Sequence, residues 1–147
     1  FEENAMIKAK AVMEATGALT LADDSGLEID AFDGGPGVYS ARYLGKDTPY
    51  TEKNRIILDK MKDIPEKDRT ARFVCVIAAA FPDGQTHTTR GTMEGIIGYE
   101  AKGENGFGYD PIFYLPDLKK YSAQLSSEEK NDLSHRGEAL RKMREVL

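Results

Sequence analysis

Two adjacent carboxylates are the first residues in the sequence whose type and spacing could do chemistry. Asp23 and Asp24 lie in the stretch LADDSGLEID, directly after a short apolar run. Mg²⁺ takes oxygen ligands and often needs only one or two carboxylates, with phosphates and waters completing its shell. A metal-bound or carboxylate-activated water can then attack phosphorus. Asp, Ser and Gly are also common turn residues, so a solvated turn is the alternative interpretation.

The course of the strand around this acidic pair limits what the pair can do. Successive side chains of a strand point to opposite faces, so the two carboxylates cannot share one side while the strand continues. The segments ALTLADD and GLEIDAF are predicted to be two short strands on either side of Ser25 and Gly26. At such a strand end, one carboxylate can turn into a cleft and the other toward the loop. Ser25 has no base nearby in the sequence, which favours a hydroxyl ligand or a turn over a nucleophile.

The glycine-rich segment GENGFGYDPIF is a candidate platform for a nucleobase. Gly103, Gly106 and Gly108 let the backbone approach a ligand, while Phe107 and Tyr109 offer flat apolar faces. Stacking on such a face holds any purine, and main-chain groups can read its edge. An ordinary loop with the phenylalanine packed inward is the alternative, because a Gly-x-Gly fragment is a weak signal by itself.

A third candidate group lies in the segment EEKNDLSHR near the C-terminal end. His135 and Arg136 follow Lys130 by five and six residues. On one continuous ideal helix these offsets would place both residues on a different face from Lys130. A helix break at Ser134, with this serine capping the next helix, would bring His135 and Arg136 to a positive helix end. An anion can bind there. A solvated amphipathic tail is the alternative, and the other histidine, His87, is predicted to lie on an exposed strand.

The elements that must position these groups follow from periodicity and turn chemistry. The segment EENAMIKAKAVMEATG is predicted to be a helix that ends at Gly17, and TEKNRIILDKMKDI is a second helix. The segments TARFVCVIAAAF and QTHTTRGTMEGIIGY flank a Pro-Asp-Gly turn and form a long hairpin, whose apolar first arm is covered on both faces. A short helix is expected in VYSARYL. The tail is predicted to be helical with a capping box at Ser126 and Glu129, and one face of its last helix is lined by Ala139, Leu140, Met143, Val146 and Leu147. This order indicates a mixed-sheet α/β domain.

Composition excludes several classes of protein. The chain of 147 residues is 40% hydrophobic and 31% charged, which is typical of one globular domain. Its net charge of −5 gives no support for a nucleic-acid-coating surface. The single cysteine, Cys75, forms no intrachain disulfide and suits the reducing cytoplasm. No apolar run is long enough to span a bilayer. We therefore expect a cytoplasmic protein with neither nucleic acid nor membrane as a partner.

An acid cluster for a metal, an aromatic loop for a base and a set of cations for phosphates together describe a nucleotide site with hydrolytic capability. With these residues in hand, the sequence closely resembles the inosine triphosphatase family, the non-standard purine nucleoside triphosphate pyrophosphatases (dITP/XTP pyrophosphatases). The matching segments run from end to end in the family's order: FEENAMIKAK, LADDSGLEIDAFDGGPGVYSARYLG, ARFVCVIA, GENGFGYDPIF and LSSEEKNDLSHRGEAL.

The resemblance implies an elongated mixed sheet with flanking helices and two lobes around an active-site cleft. It implies Mg²⁺-dependent hydrolysis of ITP, dITP or XTP to the monophosphate and pyrophosphate, usually by a homodimer. The general base and metal-linked carboxylate would be Asp24, with Asp23 beside it at the metal. Substrate contacts carried over from the family are Lys8 at a phosphate, Ser25, the base-binding residues Phe107, Gly108, Tyr109 and Asp110, and the nucleotide contacts Lys130, His135 and Arg136.

The family also opens with a first strand, a Gly-Asn-x-x-Lys phosphate loop and a metal-binding glutamate, which this sequence does not include. Residues 1–147 are accordingly expected to be one nucleoside triphosphate pyrophosphatase domain, incomplete at its N-terminal end relative to the family. A molecule that began at Phe1 would be expected to have weak activity or none. A catalytically impaired nucleotide-binding fragment of the family is therefore the alternative to an active enzyme.

Overall fold

Four α-helices flank one six-stranded sheet in the structure, a computed structural model that describes residues 1–147. None of the helices combines the length and the apolar character that a membrane span requires. The helices are α1 (Glu2–Thr16), α2 (Tyr50–Met61), α3 (Ser127–Leu133) and α4 (His135–Val146). The strands are β1 (Thr20–Ile29), β2 (Gly35–Pro36), β3 (Thr70–Ala80), β4 (Thr86–Ile97), β5 (Phe113–Leu115) and β6 (Lys120–Tyr121).

The sheet has the order β2-β1-β3-β4-β5-β6, and every neighbouring pair is antiparallel. The α/β class with flanking helices is confirmed, but the mixed pairing expected for the sheet is not found in this chain. The β3–β4 and β5–β6 pairs are joined by short connections, and short connections produce antiparallel neighbours. The strand β1 pairs with β2 only at Glu28 and Ile29, so the rest of that edge has no strand partner in this sheet.

The strand β3 is covered on both faces, as its continuous apolar sequence predicts. On one side, which we call the α1 face, Val74 and Val76 pack with α1 through Ala5 and Ala9. The other side, the α4 face, is defined by Cys75, Ile77 and Ala79, which pack with Ala139 and Met143 of α4. Alanines on both helices permit the close approach to the sheet.

The α4 helix covers only one half of the α4 face. The other half is covered by the largest hydrophobic cluster, in which Leu27 and Phe73 of the sheet pack with Ile57 and Met61 of α2 and with Phe113. All five side chains are at most 7% exposed. Two lobes therefore stand on one face of the sheet, and a cleft lies between them.

Several local predictions are confirmed. The helix α1 ends at Gly17, which adopts the left-handed conformation with φ 70°. The long hairpin pairs β3 with β4 from Thr70 to Ala80 without interruption. Ser126 and Glu129 form the capping box of α3, and Ser134 caps α4 by accepting a hydrogen bond from the Gly137 amide at 3.0 Å.

The prediction of two short strands around Ser25 is wrong, because β1 continues unbroken through it. Ser25 and Gly26 keep their register against Cys75 and Val74. Gly26 serves close packing and not a turn, since a Cβ there would stand 2.3 Å from the Gly37 carbonyl oxygen and 2.7 Å from Ser40 Oγ.

Two helix predictions also need correction. The segment VYSARYL forms only a 3₁₀ turn at Gly37–Tyr39 followed by further turns. In α4, Ala139 and Met143 are buried, whereas Leu140, Val146 and the following residue Leu147 are 39–59% exposed. The buried stripe of α4 is narrower than its sequence suggests because only small or flexible side chains meet the sheet.

Replacing Gly91 by Ala should destabilise the fold at the contact between α4 and β4. A Cβ at this position would stand 2.2 Å from the His135 carbonyl oxygen and 2.6 Å from the Ala139 nitrogen, both backbone atoms of α4. Such overpacking typically costs about 1–3 kcal/mol of unfolding free energy. Urea denaturation measures the change, with exposed Thr88→Ala on the same strand as the control. A Gly91→Ala protein as stable as the control would contradict the described helix approach.

Candidate functional site

A cleft of about 650 Å³ opens on the α4 face between α4 and the lobe that carries α2. Eight of the site residues predicted from the sequence line it, and they come from three separate segments of the chain. These residues are Ser25 from β1, Phe107, Gly108, Tyr109 and Asp110 from the glycine-rich loop, and Lys130, His135 and Arg136 from α3 and α4.

On the α4 face, the acidic pair contributes a partner for Arg136. Because β1 is unbroken, Asp23 and Ser25 point to this face together. Arg136 Nη2 donates to Asp23 Oδ2 at 2.9 Å and lies 3.4 Å from Ser25 Oγ. The ion pair is half exposed at both ends. Asp23 therefore holds the first-turn arginine of α4 against the rim of the cleft.

On the α1 face, Asp24 meets the lysine of the first helix. Lys8 Nζ stands 3.4 Å from Asp24 Oδ1 and donates to the Asp23 carbonyl oxygen at 2.9 Å. The Asn4 amide nitrogen lies 3.5 Å from the other oxygen of Asp24. The Asp24 side chain is only 14% exposed, whereas Lys8 is largely exposed. The structure thus brings Lys8 and Asp24 together, but on the opposite side of β1 from the cleft.

The glycine-rich loop is organised by the buried carboxylate of Asp110. One carboxylate oxygen accepts hydrogen bonds from the Phe107 amide at 2.9 Å and from the Lys130 ammonium, and the other accepts from Ser122 Oγ at 2.6 Å. Asp110 is 3% exposed, so these partners replace the water that it loses. Gly106 has φ +74°, and a Cβ there would stand 2.3 Å from the same carboxylate.

The two aromatic residues of this loop have different environments. Phe107 is 75% exposed, and Lys130 Nζ lies 5.4 Å from its ring centroid. Tyr109 is 4% exposed, donates to the Ser40 carbonyl at 2.5 Å and meets the Tyr50 ring edge-on at 5.1 Å. Burial raises the pKa of the Tyr109 hydroxyl, which keeps it a donor. Phe107 is therefore the face available to a flat ligand, and Tyr109 is part of the wall.

His135 is an uncharged group at the bottom of the cleft. Its ring stacks on Phe73 with the centroids 5.1 Å apart and the planes 18° apart. Burial, helped by the Arg136 charge, lowers the pKa of His135 to about 4. Its Nδ1 is buried and has no hydrogen-bond partner in the protein. A neutral imidazole offers one donor and one acceptor to a ligand edge.

The two carboxylates predicted to hold a divalent cation are divided between the two faces of β1. No group of three or more His, Cys, Asp or Glu side chains is arranged so that it could hold a metal ion. Asp23 and Asp24 point to opposite faces of β1, and each has its own cationic partner. A single carboxylate still suits Mg²⁺ when substrate phosphates and waters supply the other ligands.

Three buried polar residues that support the cleft were missed by sequence reasoning. Ser122 donates to Asp110, Ser40 Oγ accepts from the Leu27 amide at 2.8 Å, and Asn54 donates to the Gly108 carbonyl at 3.1 Å. Ser40 lies in one of the segments that resemble the family, but Asn54 and Ser122 belong to no recognisable motif. The one available signal was the spacing of Asn54, which lies three residues before buried Ile57 on the apolar side of α2.

Comparison with known proteins relates the whole chain to one family. The model described as "Ham1 family" matches residues 1–146. A dITP/XTP pyrophosphatase of Exiguobacterium sibiricum is 53% identical over all of this chain and 74% of its own length. One of Desulforamulus reducens is 54% identical over all of this chain and 73% of its own length. The Staphylococcus aureus Ham1 protein structure has a TM-score of 0.93 and 46% identity, with 99% of this chain and 75% of that chain covered.

The buried imidazole should make folding stability depend on pH. The unfolded chain protonates His135 near pH 6.5, whereas the folded protein does so only near pH 4. The unfolded state therefore binds more protons between these values, and stability falls as pH is lowered from 6.5 to 4. Urea denaturation across this pH range should show that His135→Gln loses less unfolding free energy than the parent protein. Equal pH dependence in the parent and the variant would contradict a neutral His135.

Proposed function

The chain belongs to the Ham1 family, and we propose on that premise that it hydrolyses non-standard purine nucleoside triphosphates, namely dITP, ITP and XTP, to the monophosphate and pyrophosphate. The curated relatives that it matches over its full length are named dITP/XTP pyrophosphatases. The observation that carries the proposal within this chain is the exposed ring of Phe107 at a cleft lined by Lys130, His135 and Arg136. A flat aromatic face beside cations suits a purine with an anionic tail.

We assign base recognition to the α4 face. The purine would stack on Phe107 and present its edge to His135 and Arg136. Arginine only donates hydrogen bonds, so it can bind the carbonyl oxygen of a 6-oxo purine but not the amino group of adenine. A site built in this way rejects the wrong base because its polar groups would be left unpaired.

We assign the attack on phosphorus to the α1 face. On this face Lys8 Nζ lies 3.4 Å from Asp24 Oδ1, which puts a cation for a phosphate beside a carboxylate for the attacking water. Lys8 would bind a phosphate, and Asp24 would take a proton from the attacking water. The new bond joins water oxygen to the α-phosphorus as the bond to the bridging oxygen breaks, and pyrophosphate leaves.

Mg²⁺ is the cofactor that we propose, with Asp24 as its carboxylate ligand. When bound, the ion neutralises phosphate charge and lowers the cost of the developing negative charge. Asp23, in contrast, keeps the Arg136 guanidinium in place through their 2.9 Å contact. Asp110 acts in the same way on Lys130 and on the backbone of Phe107. These two carboxylates are thus proposed to position groups that touch the substrate.

A cytoplasmic location and a homodimer complete the proposal. The single cysteine Cys75 is free and buried, in keeping with a reducing compartment. The side chains of Val38 and Tyr39 are 39% and 64% exposed beside the cleft-lining residue Ser40, and a second copy could cover them. Sedimentation velocity distinguishes a dimer from a monomer.

Pyrophosphate release tests the proposed reaction directly. With Mg²⁺ present, the protein should release pyrophosphate from dITP and XTP with a kcat/KM at least about 100-fold higher than from dATP. Removal of the metal with EDTA should abolish the reaction. Binding of these nucleotides with background release from all of them would instead indicate the catalytically impaired member of the family. Equal rates with dITP and dATP would contradict the assigned base recognition.

Substitutions of Asp24 and Asp23 should have different effects on kcat and KM. Asp24→Asn should lower kcat for dITP by about 10²–10⁴-fold, because the amide cannot accept the proton. Asp23→Asn should leave kcat nearly unchanged and raise KM at most about fivefold, since a half-exposed ion pair contributes little. Steady-state kinetics measures kcat and KM of both variants, and urea denaturation shows whether each variant is folded. A larger loss of kcat in Asp23→Asn would show that the roles are reversed.

A further inference from the structure

The exposure of Phe107 raises the question of what fixes the orientation of its ring. The ring is 75% exposed, and the nearest group described against it is Lys130 Nζ at 5.4 Å. Side-chain packing therefore does little to hold it. The loop around it also contains Gly103, Gly106 and Gly108, all with positive φ, and glycine is the most mobile backbone unit. Backbone hydrogen bonds on either side of Phe107 must set its position.

Two of these hydrogen bonds come from within the loop, and a third comes from a helix. The Phe107 amide donates to the Asp110 carboxylate at 2.9 Å, and the Phe107 carbonyl accepts from the Asp110 amide at 3.2 Å. On the other side, the Gly108 carbonyl accepts a hydrogen bond at 3.1 Å from the Asn54 side chain, 54 positions away in the sequence. No other donor in the protein reaches that carbonyl. Asn54 thus makes the only hydrogen bond between this end of the loop and α2.

The helix α2, which carries Asn54, is held firmly in the fold by its buried side. Ile57 and Met61, on the same side of α2, are fully buried in the largest hydrophobic cluster. Lys53 is 1% exposed and donates to the Ala41 carbonyl at 2.9 Å, so α2 also holds the opposite wall of the cleft. The Tyr50 ring lies 3.6–4.0 Å from the place of a Cβ on Gly108.

Stability alone does not account for an asparagine at position 54. Asparagine is a poor residue for a helix interior. It is 4% exposed, and its Oδ1 is buried without a hydrogen-bond partner in the protein. An unpaired buried acceptor is costly, and an apolar residue would avoid that cost. What the asparagine provides is the amide donor to Gly108.

We propose that Asn54 is a positioning residue for base recognition, which fixes the Gly108 carbonyl and thereby presents the Phe107 ring to the purine. The inference rests on the proposed function of the cleft and adds to it a residue on α2. Loss of the donor would let the loop sample other conformations, and the ligand would have to restore the productive one. Base affinity should therefore fall, while the reaction at Asp24 on the other face should change little.

The test compares Asn54→Ala and Asn54→Asp with the wild-type chain. Each variant loses the donor, and the aspartate keeps the shape of the asparagine. Asn54→Ala should raise KM for dITP and the Kd for IMP about five- to tenfold, with kcat changed less than threefold. Asn54→Asp should match or exceed these increases. Arg55→Ala, an exposed neighbour on α2, is the control and should leave all three constants unchanged.

Urea denaturation separates positioning from a structural role. Wild-type constants in Asn54→Ala would overturn the inference, whatever the change in stability, and leave the proposed function intact. A loss of kcat equal to the rise in KM would also overturn it, because general loosening of the fold would explain that result. IMP binding by calorimetry tests Asn54 even if the wild-type chain turns over no dITP. A wild-type chain that neither binds IMP nor hydrolyses dITP would overturn both proposals.

Discussion

The unbroken course of β1 through the acidic pair is the constraint on which the whole site depends. Side chains of a strand alternate, so Asp23 and Ser25 stand on the α4 face and Asp24 on the α1 face. Each face is then completed by a different helix, with Arg136 supplied by α4 and Lys8 by α1. The proposed base recognition and the proposed phosphate chemistry therefore lie on different faces of β1.

Each carboxylate of the site holds a cation before any ligand arrives. Asp110 pairs with Lys130, Asp23 with Arg136 and Asp24 with Lys8. Groups that are oriented in advance cost less to reorganise when a charged substrate binds. The pairs also differ in burial, since the Asp110 side chain is 5% exposed and that of Asp23 is 46% exposed. The first is therefore a fixed part of the loop, and the second is free to rearrange around an anion.

Much of the fold could be predicted from the sequence, because local signals and tertiary packing agree there. The Gly17 stop, the Ser134 cap and the β3–β4 hairpin rest on residues whose preferred conformation is the one observed. Ser25 and Gly26 misled the prediction because Gly26 serves close packing against Gly37 and Ser40, which only the folded structure reveals. Asn54 and Ser122 carry no motif at all. Their contacts join segments that only the folded chain brings together.

The most direct measurement is a crystal structure of the Asp24→Asn variant with dITP and Mg²⁺ bound. The purine ring should stack on Phe107 on the α4 face with its edge toward His135 and Arg136. The phosphates should reach the α1 face, with Lys8 and position 24 nearest the α-phosphate. A base seated away from Phe107 would contradict the assigned recognition. A triphosphate held entirely on the α4 face would contradict the separation of binding and chemistry across β1.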